Sequence, residues 1–285
     1  MDTNFIYQQI QQKKSFLCLG LDPDLNKIPE FLIESSKEPL LDFCKSMVDN
    51  INPFCIAVKI NTAFFEAYGS EGYKSLELLV KYIKAIYPEL FVIADAKRGD
   101  IGNSSNRYAK AFFDSLPFDA ITISPYLGTD SIEPFLEYEN KYAIVLALTS
   151  NKGSEDFQLP NDGKLFKSVL KTCNALQNSD KIMYVVGATH PEQLKEIRNI
   201  VPNSFILVPG VGVQGGILSE VYSSGANNNV GLLVNSSRAI IYASQGKNCF
   251  EAAKIEAKLI QNEMENLLKK CFIIKSIKIK IQQSG

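Results

Sequence analysis

Histidine is nearly absent from this 285-residue chain, which contains only His190. One imidazole cannot assemble a histidine-based zinc or iron site, because such sites need several ligands and no cysteine cluster is present to supply the others. Acid–base catalysis by histidine is nearly excluded as well. Because Pro191 suits the first turn of a helix, we interpret His190 as a polar residue beside a helix start.

Paired cysteines and membrane segments are also lacking. The six cysteines include no Cys-x-x-Cys pair and lie mostly in apolar stretches, which is typical of free thiols in a reducing compartment. No run of about 18 apolar residues occurs. The N-terminal sequence MDTNFIYQQIQQKKSF resembles neither a signal peptide nor a transit peptide. We therefore expect a cytoplasmic protein that does not interact with membranes.

The chain carries almost no net charge, with 30 basic residues against 31 acidic ones. This balance gives no electrostatic case for binding nucleic acid or a membrane surface, so a small-molecule partner is expected. The composition, 46% hydrophobic and 21% charged, is that of a globular protein and excludes disordered and collagen-like chains.

Eight short apolar runs alternate with segments of helical periodicity. The runs are Phe16–Leu21, Ile56–Ile60, Phe91–Ala94, Ala120–Ile123, Ala143–Leu148, Ile182–Val186, Phe205–Val208 and Leu232–Val234. Eight strand–helix units are typical of a (β/α)8 TIM barrel, whereas a doubly wound open sheet usually has fewer strands. We predict an α/β fold with a single barrel domain over residues 1–270, with two domains as the alternative. Residues 271–285 alternate apolar residues with lysine, which indicates either an extra edge strand or a disordered extension.

Charged residues follow three successive predicted strands, at the barrel end where active sites lie. Asp22 follows the first strand, Lys59 lies in the second, and Asp95 and Lys97 close the third. Because side chains alternate along a strand, we expect Lys59, Asp95 and Lys97 to form a row of alternating charge. Each charge taken alone is equally explained as a solvated strand end or a structural ion pair. A lysine inside a buried strand, however, needs a carboxylate beside it.

Polar residues also close the later strands. Thr149 and Ser150 suit the polar edge of a flat ligand, although ordinary turn chemistry explains them equally well. The loops after strands seven and eight are the usual phosphate site of a barrel, and Arg238 suits that role. The run from Gly210 to Gly215 matches G-x-G-x-x-G, but no acidic residue follows at the distance that a dinucleotide site requires.

The segments LGLDPD, VKIN, ADAKRGDIGN, PGVGVQGG and NSSRAI, in this order, resemble the orotidine 5′-monophosphate decarboxylases, specifically the branch found in many bacteria and in malaria parasites. The resemblance spans about residues 15–240. It implies a (β/α)8 barrel that works as a homodimer, converts orotidine 5′-monophosphate to uridine 5′-monophosphate, and uses no metal or organic cofactor.

The resemblance also assigns site residues. It makes Lys59, Asp95, Lys97 and Asp100 the catalytic set, with Asp100 reaching into the partner's site. It gives nine substrate-binding positions: Asp22, Asn61, Ile101, Ser104, Thr149, Ser150, Pro209, Gln214 and Arg238. Ser104 stands where the family commonly has threonine, so the hydroxyl is kept. Which of Thr149 and Ser150 contacts the base stays open.

Two other functions remain open on sequence alone. The first is a metal-dependent sugar-phosphate decarboxylase or epimerase of the same barrel superfamily, which would share the D-x-K-x-x-D pattern but would need more carboxylates at the mouth. The second is a non-catalytic nucleotide-binding barrel, which an intact Lys–Asp–Lys–Asp set argues against.

Overall fold

Eight parallel strands close into one barrel in the order β1 to β8, so the predicted (β/α)8 fold is confirmed. The strands are β1 Leu17–Leu21, β2 Ala57–Asn61, β3 Phe91–Arg98, β4 Ala120–Ile123, β5 Tyr142–Leu148, β6 Ile182–Val186, β7 Ile206–Pro209 and β8 Leu232–Ser236. This computed structural model describes residues 1–189, 191–211 and 216–283, with the backbone alone described at 161, 163, 191 and 271–283. His190 and Gln214 lie outside the described residues.

Helices follow the strands around the barrel. They are α1 Thr3–Lys13, α2 Glu30–Ser35, α3 Pro39–Ile51, α4 Ala63–Glu66, α5 Gly69–Ile86, α6 Gly102–Lys110, α7 Glu133–Leu136, α8 Ser154–Phe157, α9 Pro160–Asn174, α10 Pro191–Ile200, α11 Leu218–Gly225, α12 Arg238–Ile241 and α13 Cys249–Gln283. A π-helical turn, Ala111–Ser115, extends α6. Short 3-10 turns cover Leu25–Lys27, Thr129–Ser131 and Ser179–Lys181. None of the helices in the described part of the chain is long and apolar enough to cross a membrane.

The apolar pattern of each element explains its placement. The strands are buried on both faces, as expected of parallel strands between a filled barrel and a ring of helices. In α5, Leu76, Leu79, Val80 and Ile83 are buried at helical spacing, and this stripe faces the barrel. The five described cysteines are free and buried, which fits their interpretation as small apolar residues.

Both ends of the chain form helices outside the eight strand–helix units. Helix α1 lies at the amino-terminal end of the barrel, where Lys13 Nζ donates hydrogen bonds to the carbonyls of Asn52 and Cys55. Of the two interpretations of residues 271–285, the edge strand is wrong, because the backbone of α13 stays helical to Gln283. No glycine or proline interrupts residues 249–283, and extending an existing helix needs no new nucleation.

Candidate active site

A row of three alternating charges lies at the carboxyl ends of β2 and β3. The Asp95 carboxylate accepts hydrogen bonds from Lys59 Nζ at 2.6 Å and from Lys97 Nζ at 2.5 Å, one on each oxygen. The Lys59 and Asp95 side chains are 7% and 10% exposed, whereas that of Lys97 is 51% exposed. The predicted contact is confirmed, and the row runs from the barrel interior to the mouth, where it ends in an accessible ammonium.

Strand register and a bulge build this row. Asn61 pairs with Asp95 across β2 and β3, which brings the carboxyl ends of both strands level. The register between β3 and β4 shifts between Ala94 and Arg98, and Lys97 within this bulge has a φ of 47°. A left-handed lysine stores local strain, which persists only where the surroundings enforce it.

Thr122 of β4 supplies part of that enforcement. Its hydroxyl accepts a hydrogen bond from the Lys97 backbone N–H at 2.9 Å and lies 3.2 Å from Asp95 Oδ1. One buried hydroxyl therefore contacts both residues at the outer end of the row. Sequence inspection missed Thr122, although its polar side chain within the apolar run Ala120–Ile123 was a signal.

The row holds both of its buried members in their charged forms. Burial alone would lower the pKa of Lys59, but the carboxylates of Asp95 and Asp22 raise it above its ordinary value of 10.5. Burial alone would likewise raise the pKa of Asp95, but Lys59 and Lys97 lower it below its ordinary value of 3.8. The Lys59–Asp95 pair therefore stabilises the fold between these two ordinary values, and its contribution falls outside them.

Replacing Asp95 by asparagine is expected to lower the free energy of unfolding at pH 7 by about 3–5 kcal/mol, because Lys59 would be left buried without its partner. The difference in the free energy of unfolding between variant and wild type should narrow only as the pH falls below the ordinary aspartate pKa, where the wild-type carboxylate becomes protonated and loses its charge. Urea unfolding across pH measures both effects. The exposed Asp130→Asn is the control, and a loss as small as that control's would contradict the pairing.

Asp22 lies beside the row. Its Oδ1 is 3.8 Å from Lys59 Nζ, and its Oδ2 accepts a hydrogen bond from Ser237 Oγ at 2.5 Å. Gly20 is required at this approach of β1 to β8, because a Cβ there would lie 2.7 Å from the Cβ of Ser237 and 2.9 Å from Oδ1 of Asn235. The ends of these two strands therefore form one wall of the site.

The other predicted residues that close strands lie around the same end of the barrel. Asn61 Oδ1 accepts a hydrogen bond from the Ala63 N–H at 3.3 Å, while Pro209 ends β7. Thr149 is linked to the loop after β5 by Gln158, whose Oε1 accepts a hydrogen bond from the backbone N–H of Thr149 at 2.8 Å. Ser150 packs directly against Gly187, where a Cβ would lie 2.7 Å from that of the serine.

Several predicted residues are not engaged by the row. Asp100 accepts a hydrogen bond from the N–H of Ile101 and forms no ion pair with any residue in the described ranges. Ile101 is 52% exposed, and Ser104 is exposed on α6. Arg238 begins α12 with an exposed side chain. All four residues lie just beyond the ends of β3 and β8.

In the part of the chain that the structure describes, no three histidine, cysteine, aspartate or glutamate side chains lie together so that they could hold a metal ion. The available groups are instead ammonium, guanidinium, hydroxyl, amide and paired carboxylate.

A closed (β/α)8 barrel with a strained, partly exposed lysine in a charge row at the carboxyl ends of its strands defines a barrel enzyme. Comparison with known proteins identifies the family. A sequence model of the orotidine 5′-phosphate decarboxylase / HUMPS family matches residues 15–253. The orotidine 5′-phosphate decarboxylase of Flavobacterium johnsoniae is 54% identical over 270 residues, covering 94% of this chain and 98% of the relative.

Solved structures agree with this assignment. The OMP decarboxylase of Leishmania donovani is 32% identical with a TM-score of 0.76, covering 93% of this chain and 99% of that one. The orotidine 5′-monophosphate decarboxylase of Plasmodium berghei is 25% identical with a TM-score of 0.80, covering 94% and 98%. This chain therefore belongs to the orotidine 5′-phosphate decarboxylase / HUMPS family.

Proposed function

We propose that this chain decarboxylates orotidine 5′-monophosphate to uridine 5′-monophosphate, the last step of de novo pyrimidine nucleotide synthesis. The observation that carries the proposal is the Lys59–Asp95–Lys97 row, which presents one ammonium to the barrel mouth. Relatives that are about half identical to this chain over nearly its full length and bear the decarboxylase name support the same reaction.

The chemistry requires stabilisation of negative charge. When the bond between C6 and the carboxylate breaks, CO2 leaves and the electron pair stays on C6 in an orbital orthogonal to the ring π system. Ring delocalisation therefore helps little. The Lys97 ammonium stabilises this charge as it develops and then transfers a proton to C6, and the lysine regains a proton from solvent. A fixed charge is effective here because its position is set before the reaction begins.

Asp95 and Lys59 keep that ammonium in place. Asp95 holds Lys97 through one oxygen and is itself held by Lys59 through the other. Asp95, which is negatively charged at neutral pH, is also proposed to lie near the carboxylate that leaves. Asp100 of the partner subunit of a homodimer is proposed to complete the set.

The remaining residues are assigned to substrate binding. Asp22, Asn61, Ile101 and Ser104 contact the ribose and pyrimidine, and Thr149 or Ser150 contacts the base. Gln214 and Arg238 bind the phosphate, and Pro209 lies beside the loop that closes over it. Phosphate contacts far from C6 contribute to the rate when they favour a closed site, because remote binding energy is then used at the reacting carbon. We also propose that residues 1–270 form the catalytic domain and that the protein acts in the cytoplasm.

Replacing Arg238 by alanine is expected to lower kcat/KM for the nucleotide by about 10–100-fold, the effect of losing a hydrogen bond to a charged group. Steady-state kinetics with orotidine 5′-monophosphate and with orotidine, which has no phosphate, check this prediction. Turnover of the nucleoside should hardly change. Equal losses for both substrates would make Arg238 a structural residue and remove it from phosphate binding.

The alternative within the same barrel superfamily is a metal-dependent decarboxylation or epimerisation of a sugar phosphate. The experiment that separates the two follows the loss of orotidylate absorbance by the purified chain in the presence of a metal chelator. Sustained turnover with stoichiometric uridine 5′-monophosphate supports the proposal. Loss of turnover that divalent metal restores favours the metal-dependent reaction, and binding of the nucleotide without turnover favours a non-catalytic barrel.

A further inference from the structure

The end of β8 is tied to the loop after β1 by a serine that sequence inspection did not single out. Ser237 precedes the first residue of α12, but its side chain does not cap that helix. The hydroxyl instead lies 2.5 Å from Asp22 Oδ2 and 3.1 Å from the carbonyl of Gly20. A serine has one proton to donate, and the short contact to a carboxylate is the stronger of the two.

This hydroxyl determines how the Asp22 carboxylate is oriented. With Oδ2 held by Ser237, the other oxygen, Oδ1, is turned toward Lys59 Nζ at 3.8 Å. Oδ1 is buried and has no hydrogen-bond partner within the described part of the chain. Rotation of the carboxylate would therefore be opposed by a single side-chain hydrogen bond and by the attraction of one ammonium.

The backbone of the same loop is held independently by Tyr242. Its hydroxyl donates to the carbonyl of Asp22 at 3.0 Å and accepts from the N–H of Asp24 at 2.7 Å. The ring of Tyr242 stacks on Phe43, with centroids 6.1 Å apart. Without the Ser237 hydroxyl, the Asp22 carboxylate could therefore rotate more easily, while Tyr242 would still hold the backbone of the loop.

We infer that Ser237 is a positioning residue that orients the Asp22 carboxylate toward bound nucleotide and Lys59. The inference rests on the proposed function, in which Asp22 contacts the ribose. Ser237 is also adjacent to Arg238, the residue assigned to the phosphate. The short segment where β8 meets α12 thus sets the distance between the Asp22 carboxylate, which is assigned to the ribose, and Arg238, which is assigned to the phosphate.

A double-mutant cycle tests this inference. Ser237→Ala is expected to lower kcat/KM for orotidine 5′-monophosphate by about 10-fold or more, the effect of a hydrogen bond to a charged group. Ser237→Thr keeps the hydroxyl and should recover most of that loss. In the Asp22→Ala background, Ser237→Ala should change kcat/KM by less than about 2-fold, because no carboxylate remains to be oriented. Ser223→Ala, which removes an exposed helix hydroxyl bonded to the carbonyl of Glu220, is the control.

The outcomes separate this inference from the function on which it rests. Additive effects of the Ser237 and Asp22 substitutions would overturn it, and so would a Ser237→Ala variant with a lowered thermal midpoint but wild-type kinetics. In both cases a wild-type chain that turns over the nucleotide would leave the proposed function intact. A wild-type chain without turnover would overturn the proposed function itself.

Discussion

Replacing Lys97 by alanine should lower kcat by at least about 10³-fold, the scale of losing one donor at a site of developing charge. Nucleotide binding should remain measurable, because the ammonium acts mainly on charge that exists only after the carboxylate begins to leave. Single-turnover kinetics and equilibrium binding of uridine 5′-monophosphate measure the two quantities separately.

Lys81→Ala provides a matched control. The Lys81 side chain is 56% exposed and pairs with Glu77 on α5, much as the 51% exposed Lys97 pairs with Asp95. Lys81→Ala therefore removes a similarly exposed, ion-paired lysine away from the site, and the kcat of this variant should be that of wild type. If Lys97→Ala keeps about a tenth or more of the wild-type kcat, Lys97 does not have the proposed role.

Mixing two inactive variants should restore activity if Asp100 serves the partner's site. Asp100 lies three residues beyond Lys97 and forms no ion pair with a residue that the structure describes. In a symmetric dimer, mixing Lys97→Ala with Asp100→Ala gives heterodimers in which one site lacks both residues and the other is intact. Random reassortment should raise activity to about a quarter of wild type, because half the dimers are mixed and each has one good site of two.

A second mixture controls for recovery by subunit exchange alone. Lys59 and Lys97 belong to one row within one chain. Mixing Lys59→Met with Lys97→Ala should therefore leave both sites of every heterodimer incomplete and restore nothing. If exchange is demonstrated and the Lys97→Ala and Asp100→Ala mixture stays inactive, Asp100 serves its own chain and the shared site is wrong.

Most of the barrel could be predicted because its signals are local. All eight apolar runs became strands, and the lysine within β2 required a nearby carboxylate, which Asp95 provides. The bulge and positive φ at Lys97 could not be predicted, because they depend on how β3 meets β4. The bond between Ser237 and Asp22 joins residues 215 positions apart, a separation at which periodicity carries no information.

For the residues after 270, by contrast, the local sequence pattern was misleading. Alternation of isoleucine and lysine after residue 270 left an edge strand open beside a disordered extension, yet the backbone of α13 continues to Gln283. A strand forms only beside a partner strand with free backbone N–H and C=O groups. A residue added to the end of a helix, in contrast, forms a backbone hydrogen bond to the preceding turn. The closed barrel leaves no edge strand on which the tail could pair.

A crystal structure of the chain with uridine 5′-monophosphate bound would show whether the Lys59–Asp95–Lys97 row presents the Lys97 ammonium to C6 of a pyrimidine nucleotide. We expect C6 to lie about 3–3.5 Å from Lys97 Nζ, the separation of reacting atoms poised for transfer, with the phosphate beside Arg238. A base bound elsewhere in the barrel, or a C6 more than about twice that distance from Lys97 Nζ, would contradict it.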